Sequence, residues 1–149
     1  MQMRSFAIAA ALLSLGAAAR AQTKEEAVAT LQTFAQAIRA QDYEKAAALM
    51  QVPYPAGQRA QEMKRLLFAQ EISEPGIEAL ARDGSWGTAD EVLPAAEASR
   101  LARHARVPRD KCYALALKSA WGALYWTGEG FKILRVESIG RLVPQRAGD

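Results

Sequence analysis

The sequence predicts an α+β domain in which N-terminal helices pack on a C-terminal three-stranded antiparallel meander. Three observations predict it. Apolar residues in the first half of the chain recur with the helical i, i+3, i+4 spacing. Three consecutive segments near the C-terminus, Lys111–Lys118, Trp121–Trp126 and Phe131–Glu137, alternate with period two and are rich in aromatic and β-branched residues. The breaks between them, Ser119-Ala120 and Thr127-Gly128-Glu129-Gly130, suit hairpins and are too short for crossovers.

The first element in chain order is a targeting segment. Arg4 supplies a positive start, Phe6 to Leu15 is an apolar run, and Ala19-Arg20-Ala21 is a small-x-small cleavage site, with Ala17-Ala18-Ala19 as a second. The run is well short of the about 20 apolar residues that a spanning helix needs. Residues 1–21 are therefore expected to be a signal peptide, and the mature chain to begin at Gln22. The product is expected to be periplasmic or secreted and not membrane-spanning. Cys112 is the only cysteine, so the cleavage region has no lipid-attachment cysteine and the chain no internal disulfide. Removing residues 1–21 from the 149 leaves 128, enough for one domain over 22–144 with a frayed tail at 145–149. It also removes Arg4 and Arg20, so Lys+Arg falls from 19 to 17 against 16 Asp+Glu. That near balance argues against general nucleic-acid binding.

Thr23 is placed to cap a helix that begins at Lys24 and ends near Ala40, with Glu25 and Glu26 in its first turn. Val28, Leu31, Phe34, Ala35 and Ile38 form its apolar stripe. Asp42 is placed to cap a second, short helix with Tyr43, Ala46, Ala47 and Met50 inward, before Pro53, Pro55 and Gly57 break the chain. Gln58 to about Gln70 reads as a third helix. Ser73 with Pro75 two residues on marks a fourth, running to about Arg82. Asp83-Gly84-Ser85 reads as a turn, followed by Trp86 as a core plug or a ligand-stacking ring. Residues 94–106 fit either a helix or a strand. Their alanine content and Pro94 at a first-turn position favour helix. Ile139 to Pro144 reads as a short cover.

The hairpin lengths imply a register, since residues opposite one another share a face. Closing the first hairpin at Lys118–Trp121 pairs Leu115 with Leu124 and Tyr113 with Trp126. Closing the second at Trp126–Phe131 pairs Leu124 with Ile133 and Gly122 with Arg135. One face then collects Tyr113, Leu115, Leu117, Leu124, Trp126, Phe131 and Ile133, which predicts the core. The other collects Cys112, Ala114, Ala116, Lys118, Trp121, Ala123, Tyr125, Lys132, Leu134 and Val136.

Phe34–Met50 (FAQAIRAQDYEKAAALM) and Gly128–Val136 (GEGFKILRV) together resemble the NTF2-like (SnoaL-like, ketosteroid-isomerase-like) α+β cone superfamily. The first piece is similar to its opening helix pair, the second to its closing aromatic-Lys-Ile strand. The resemblance implies a curved sheet wrapped on a long helix, often with a pocket. It brings no catalytic residues, because the Asp or His positions of the family's enzymes have no match here. The helical reading of the middle region also departs from the family, which commonly has more strand there.

Two groups of residues are candidates for function. On the mixed sheet face, Trp121, Tyr125, Leu134 and Val136 form an apolar-aromatic patch edged by Lys118 and Lys132. It is a second core layer if a helix covers it and a contact surface if none does. The second group is basic: Arg100, Arg103, Arg106, Arg109 and Lys111 surround His104, the only histidine. It is either a solvated helix face or an anion contact for a phosphate, a lipid headgroup or an acidic partner. No carboxylate is placed by sequence to orient His104, and one His with one Cys falls short of a zinc site. Gly-rich phosphate loops, His-Glu-x-x-His, Gly-x-Ser-x-Gly and Cys-x-x-Cys are all absent.

These features favour a non-catalytic exported binding module for a small ligand or a protein partner, with no cofactor or metal. A small pocket enzyme using His104 as acid or base is the first alternative. A self-associating structural protein, with sheets packed across a homodimer, is the second.

Overall fold

The computed structural model describes residues 22–51, 58, 61 and 72–142. The expected signal peptide, most of the helix expected over 58–70 and the frayed tail lie outside the described residues.

Three helices of the described residues begin where a side-chain oxygen takes up a backbone N–H that the helix cannot pair. Thr23 accepts from the Glu26 N–H at 3.2 Å and starts α1, Lys24–Arg39. Asp42 accepts from the Lys45 N–H at 3.2 Å and starts α2, Tyr43–Ala48. Ser73 accepts from the Gly76 N–H at 3.1 Å and starts α3, Glu74–Asp83. The chain continues through β1 (Ser85–Thr88), α4 (Ala89–Val92) and α5 (Ala95–Ala105) to a 3₁₀ turn, Arg109–Lys111. Then come β2 (Cys112–Ala116), β3 (Trp121–Trp126), β4 (Phe131–Glu137) and a closing 3₁₀ turn, Ile139–Arg141. Residues 95–105 are helical, as their alanines favour.

The sheet has four antiparallel strands in the order β1-β2-β3-β4, not three. The extra strand is Ser85–Thr88, which the sequence reads as a turn and a plug. It pairs with β2 at Trp86↔Leu115 and Thr88↔Tyr113. Four residues that include a glycine give too short an alternation to read locally, and the partner strand lies far along the chain.

The first hairpin is two residues wider than expected. Ala116 faces Trp121, and Tyr113 faces Leu124. A two-residue hairpin needs a primed turn with positive φ, and neither Ser119 nor Ala120 adopts one. The chain instead closes over Leu117–Ala120, with the Leu117 N–H donating to the Ala120 carbonyl at 2.8 Å. A slip of two leaves every side chain on its expected face.

The second hairpin closes as expected, with Trp126 facing Phe131 and Leu124 facing Ile133. Gly128 supplies a φ of 99°, and the Thr127 hydroxyl accepts from the Gly130 N–H at 3.2 Å. Beyond Ile133 the ladder shifts: Ala123 faces Arg135 and Gly122 faces Val136. Leu134 is the extra residue of a β-bulge. From there the strand's alternation is inverted, so Val136 belongs to the opposite face from the one expected. The outer edge of β4 is also covered there. The Ile133 N–H donates to the Leu49 carbonyl at 2.8 Å, and the Gln51 N–H to the Ile133 carbonyl at 2.9 Å.

The two sheet faces carry two cores. Leu115, Leu124, Trp126, Phe131 and Ile133 pack with Leu31, Phe34, Ala47, Ile77, Leu80 and Ile139 beneath α1, α2 and α3. Val136, Leu117, Tyr113 and Trp86 pack against that cluster. On the other face, Cys112, Ala114, Ala123 and Leu134 pack with Ala89, Leu93, Ala98, Leu101, Ala102 and Ala105 of the α4–α5 region. The described residues thus form three layers, helix–sheet–helix. The second core is built of small residues on both sides, which lets the helix lie close to the strands. No helix among the described residues is long and apolar enough to cross a membrane.

Candidate binding surface

The apolar patch expected on the mixed face does not survive as a single surface. Leu134 is buried under α5, and Val136 lies on the first core's side of the sheet. Trp121 and Tyr125 remain half-buried, packed against the second cluster from either side of the buried Ala123. Tyr125 faces Cys112 across one ladder and Lys132 across the other. The Lys132 ammonium is committed elsewhere, donating to the Ala48 carbonyl. What stays accessible on this side is therefore the outer face of α5, with the two aromatic rings at β3.

The residues of α5 divide cleanly. Ala98, Leu101, Ala102 and Ala105 face the sheet, while Arg100, Arg103 and His104 are exposed, as is Arg106 at the helix's end. Arg106 ends the helix in the left-handed conformation, φ 57° and ψ 46°. Its N–H closes the last turn on the Arg103 carbonyl at 3.3 Å. The Val107 N–H reaches back to Ala102 at 3.1 Å, and the chain then enters the 3₁₀ turn that leads into Cys112. The cationic end of α5 and the Tyr125 end of β3 therefore lie at the same end of the sheet.

Ion pairing separates the cations of this region. Arg100 is held by Glu97 at 2.6 Å. Arg109 grips Asp90 through two nitrogens, at 2.5 and 2.8 Å, which ties the 3₁₀ turn to α4. The hydrogen bonds that Arg109 donates to Asp90, with the carboxylate's charge adding less, outweigh desolvation and raise the pKa of the guanidinium above its ordinary value. Arg39, Arg82 and Arg135 are paired too, with Glu74, Asp83 and Glu137. Arg103 and Arg106 make no ion pair among the described residues, and His104 between them has no hydrogen-bonded carboxylate there. The Arg103 guanidinium interacts favourably with the negative end of the α5 dipole. That structural contribution leaves the guanidinium exposed to meet an anion.

Cys112 is a core residue. It is fully buried, its Sγ donates to the Pro108 carbonyl at 3.5 Å, and its pKa is pushed up to about 11 by burial first and by the Asp90 and Asp110 carboxylates second. A thiol held protonated in this way is a poor nucleophile. Among the described residues no three His, Cys, Asp or Glu come together as a metal cage.

Sequence reasoning missed an aromatic group at the β1 edge. Trp86 stacks on Tyr113 at 5.5 Å, and both meet Phe131 edge-on at 5.7 Å. The Tyr113 hydroxyl donates to the side-chain carbonyl of Gln22 at 3.0 Å. The available signal was the alternation Trp86-Gly87-Thr88 after a turn, which one more apolar residue would have made legible.

No family model matches the chain, and neither a curated protein nor a solved structure matches it.

Proposed function

We propose that the chain is an exported, non-catalytic binding module that holds an anionic partner or small ligand on the outer face of α5, with Tyr125 and Trp121 at its margin. The observation that carries this reading is the contrast in ion pairing. Among the described residues, Arg39, Arg82, Arg100, Arg109 and Arg135 are neutralised by nearby carboxylates, while Arg103 and Arg106 stand exposed and without an ion pair around His104 at one end of the sheet. Exposed cations clustered without counter-charges raise the local concentration of anions and speed their capture. The half-exposed Tyr125 ring at the same end of the sheet adds contact area at little entropic cost. The expected signal peptide and the envelope location belong to the same proposal. So does membership of the NTF2-like superfamily, for which a helix-backed antiparallel sheet is suitable support. Saturable binding of a small apolar dye by the folded chain favours that membership, and its absence counts against it.

The test immobilises the folded chain and compares what it retains from an envelope extract with what Arg103→Glu and Tyr125→Ala retain. The expected outcome is a species held by the wild type, released by raised salt, and lost from both variants while their melting stays close to the parent's. Retention of the same species by Arg103→Glu overturns the proposal.

A further inference from the structure

We infer that Gln22, once the leader is removed, is converted to an N-terminal pyroglutamate and that this lactam is the mature chain's lasting N-terminus. The inference rests on the export reading above, because only cleavage after Ala21 frees the Gln22 α-amine. That amine attacks Cδ of its own side chain. The new N–Cδ bond closes the ring, the Cδ–Nε2 bond breaks, and the side-chain nitrogen leaves as ammonia with a proton from the attacking amine. No oxidant, reductant or second substrate is needed.

Two features of the fold favour the ring over the open form. The first is electrostatic. Gln22 directly precedes Thr23, the N-cap of α1. A free α-ammonium there would sit against the positive end of the helix dipole, an unfavourable place for a cation. Lys24 already occupies that end, its Nζ donating to the Gly84 carbonyl at 3.0 Å. The same field favours the neutral amine, which is the form that attacks, and the lactam removes the charge altogether.

The second feature is the partner of the side chain. Gln22 Oε1 accepts from the Tyr113 hydroxyl at 3.0 Å, and both residues are half-buried. A donor on that oxygen stabilises the negative charge that develops there during attack. The oxygen survives as the lactam carbonyl, so the product can keep the bond to Tyr113. Tyr113 is itself braced by its stack on Trp86. The lactam therefore caps the chain against the aromatic group.

The test expresses the full chain with its own leader in an exporting bacterial host and weighs the N-terminal peptide after prolonged incubation at neutral pH. The expected peptide starts at residue 22, is lighter by one ammonia, resists N-terminal sequencing, and becomes readable from Thr23 once pyroglutamyl aminopeptidase has cut off the lactam residue. Gln22→Asn stays open under the same treatment. The closed and open forms differ by one charge, so ion exchange separates them, and the closed form is expected to melt higher. A peptide that starts at Gln22 with its full mass overturns the lactam and leaves export standing. A chain that starts at Arg20, or keeps residues 1–21, overturns the cleavage on which the lactam depends.

Discussion

Single residues show where chemistry is suppressed and where it is left available. Cys112 illustrates the first. Its small size on the Ala114 side of β2 was legible as a half-buried filler, but its thiol environment was not. That environment depends on Pro108, Asp90 and α5, which only the fold brings together. It also has a pH consequence. The unfolded chain gives up the thiol proton near the ordinary value of 9.0, while the folded chain holds it to about 11. Between those values the unfolded state binds fewer protons, so stability falls as pH rises. The contribution is fully present below the lower value and lost at the upper one. Denaturant midpoints of the wild type and Cys112→Ala, followed from neutral pH upward, are expected to run parallel and then converge across that window. Parallel curves throughout would show that the thiol is not held in this way.

At the scale of elements, the caps, the second hairpin and the faces of the strands were readable because they are local, while the closure of the first hairpin and the bulge were not. Thr23, Asp42 and Ser73 each announce a helix start within four residues, and each is seen to cap. The face of Leu115, Leu124 and Ile133 was readable because two turn lengths agreed on it. Val136 was misplaced because nothing in Phe131–Glu137 signals that Leu134 will be the extra residue. The bulge answers to packing on both sides of the sheet and to the pairing of Leu49 and Gln51 at the outer edge. The closing 3₁₀ turn depends on another non-local fit. A Cβ on Gly76 would fall 1.8 Å from the Ile139 carbonyl oxygen, so α3 and the turn meet backbone to backbone. Gly76→Ala is expected to force them apart and to cost about 2–3 kcal/mol, seen as a lower denaturant midpoint at unchanged slope. An unchanged midpoint would mean that the contact is looser than described.

At the scale of the whole molecule, one sheet serves two cores of different character. The first is bulky and closes under α1 to α3. The second is made of alanines with Cys112, Leu101 and Leu134, and it carries α5 close against the strands. The sequence revealed the bulky face and the basic cluster. It could not reveal that α5 would bury Leu134, that the bulge would carry Val136 to the opposite face, and that the cations would turn outward at the Tyr125 end of the sheet. That outcome follows from the packing of α5 on the sheet and from the bulge at Leu134, both of which are properties of the assembled layers. The resulting surface sits on an element whose inner face does the packing, so binding and stability can be separated.

Arg106 is the residue at which they separate most sharply. It holds a left-handed φ of 57° that glycine would adopt without cost. Arg106→Gly is therefore expected to gain about 1 kcal/mol of stability while losing one of the two unpaired guanidinium groups of the proposed contact. The direct measurement is the melting temperature of Arg106→Gly alongside its retention of whatever the wild type captures. The expected variant melts higher and captures less. A variant that melts higher and captures as much as the parent would contradict the proposed contact.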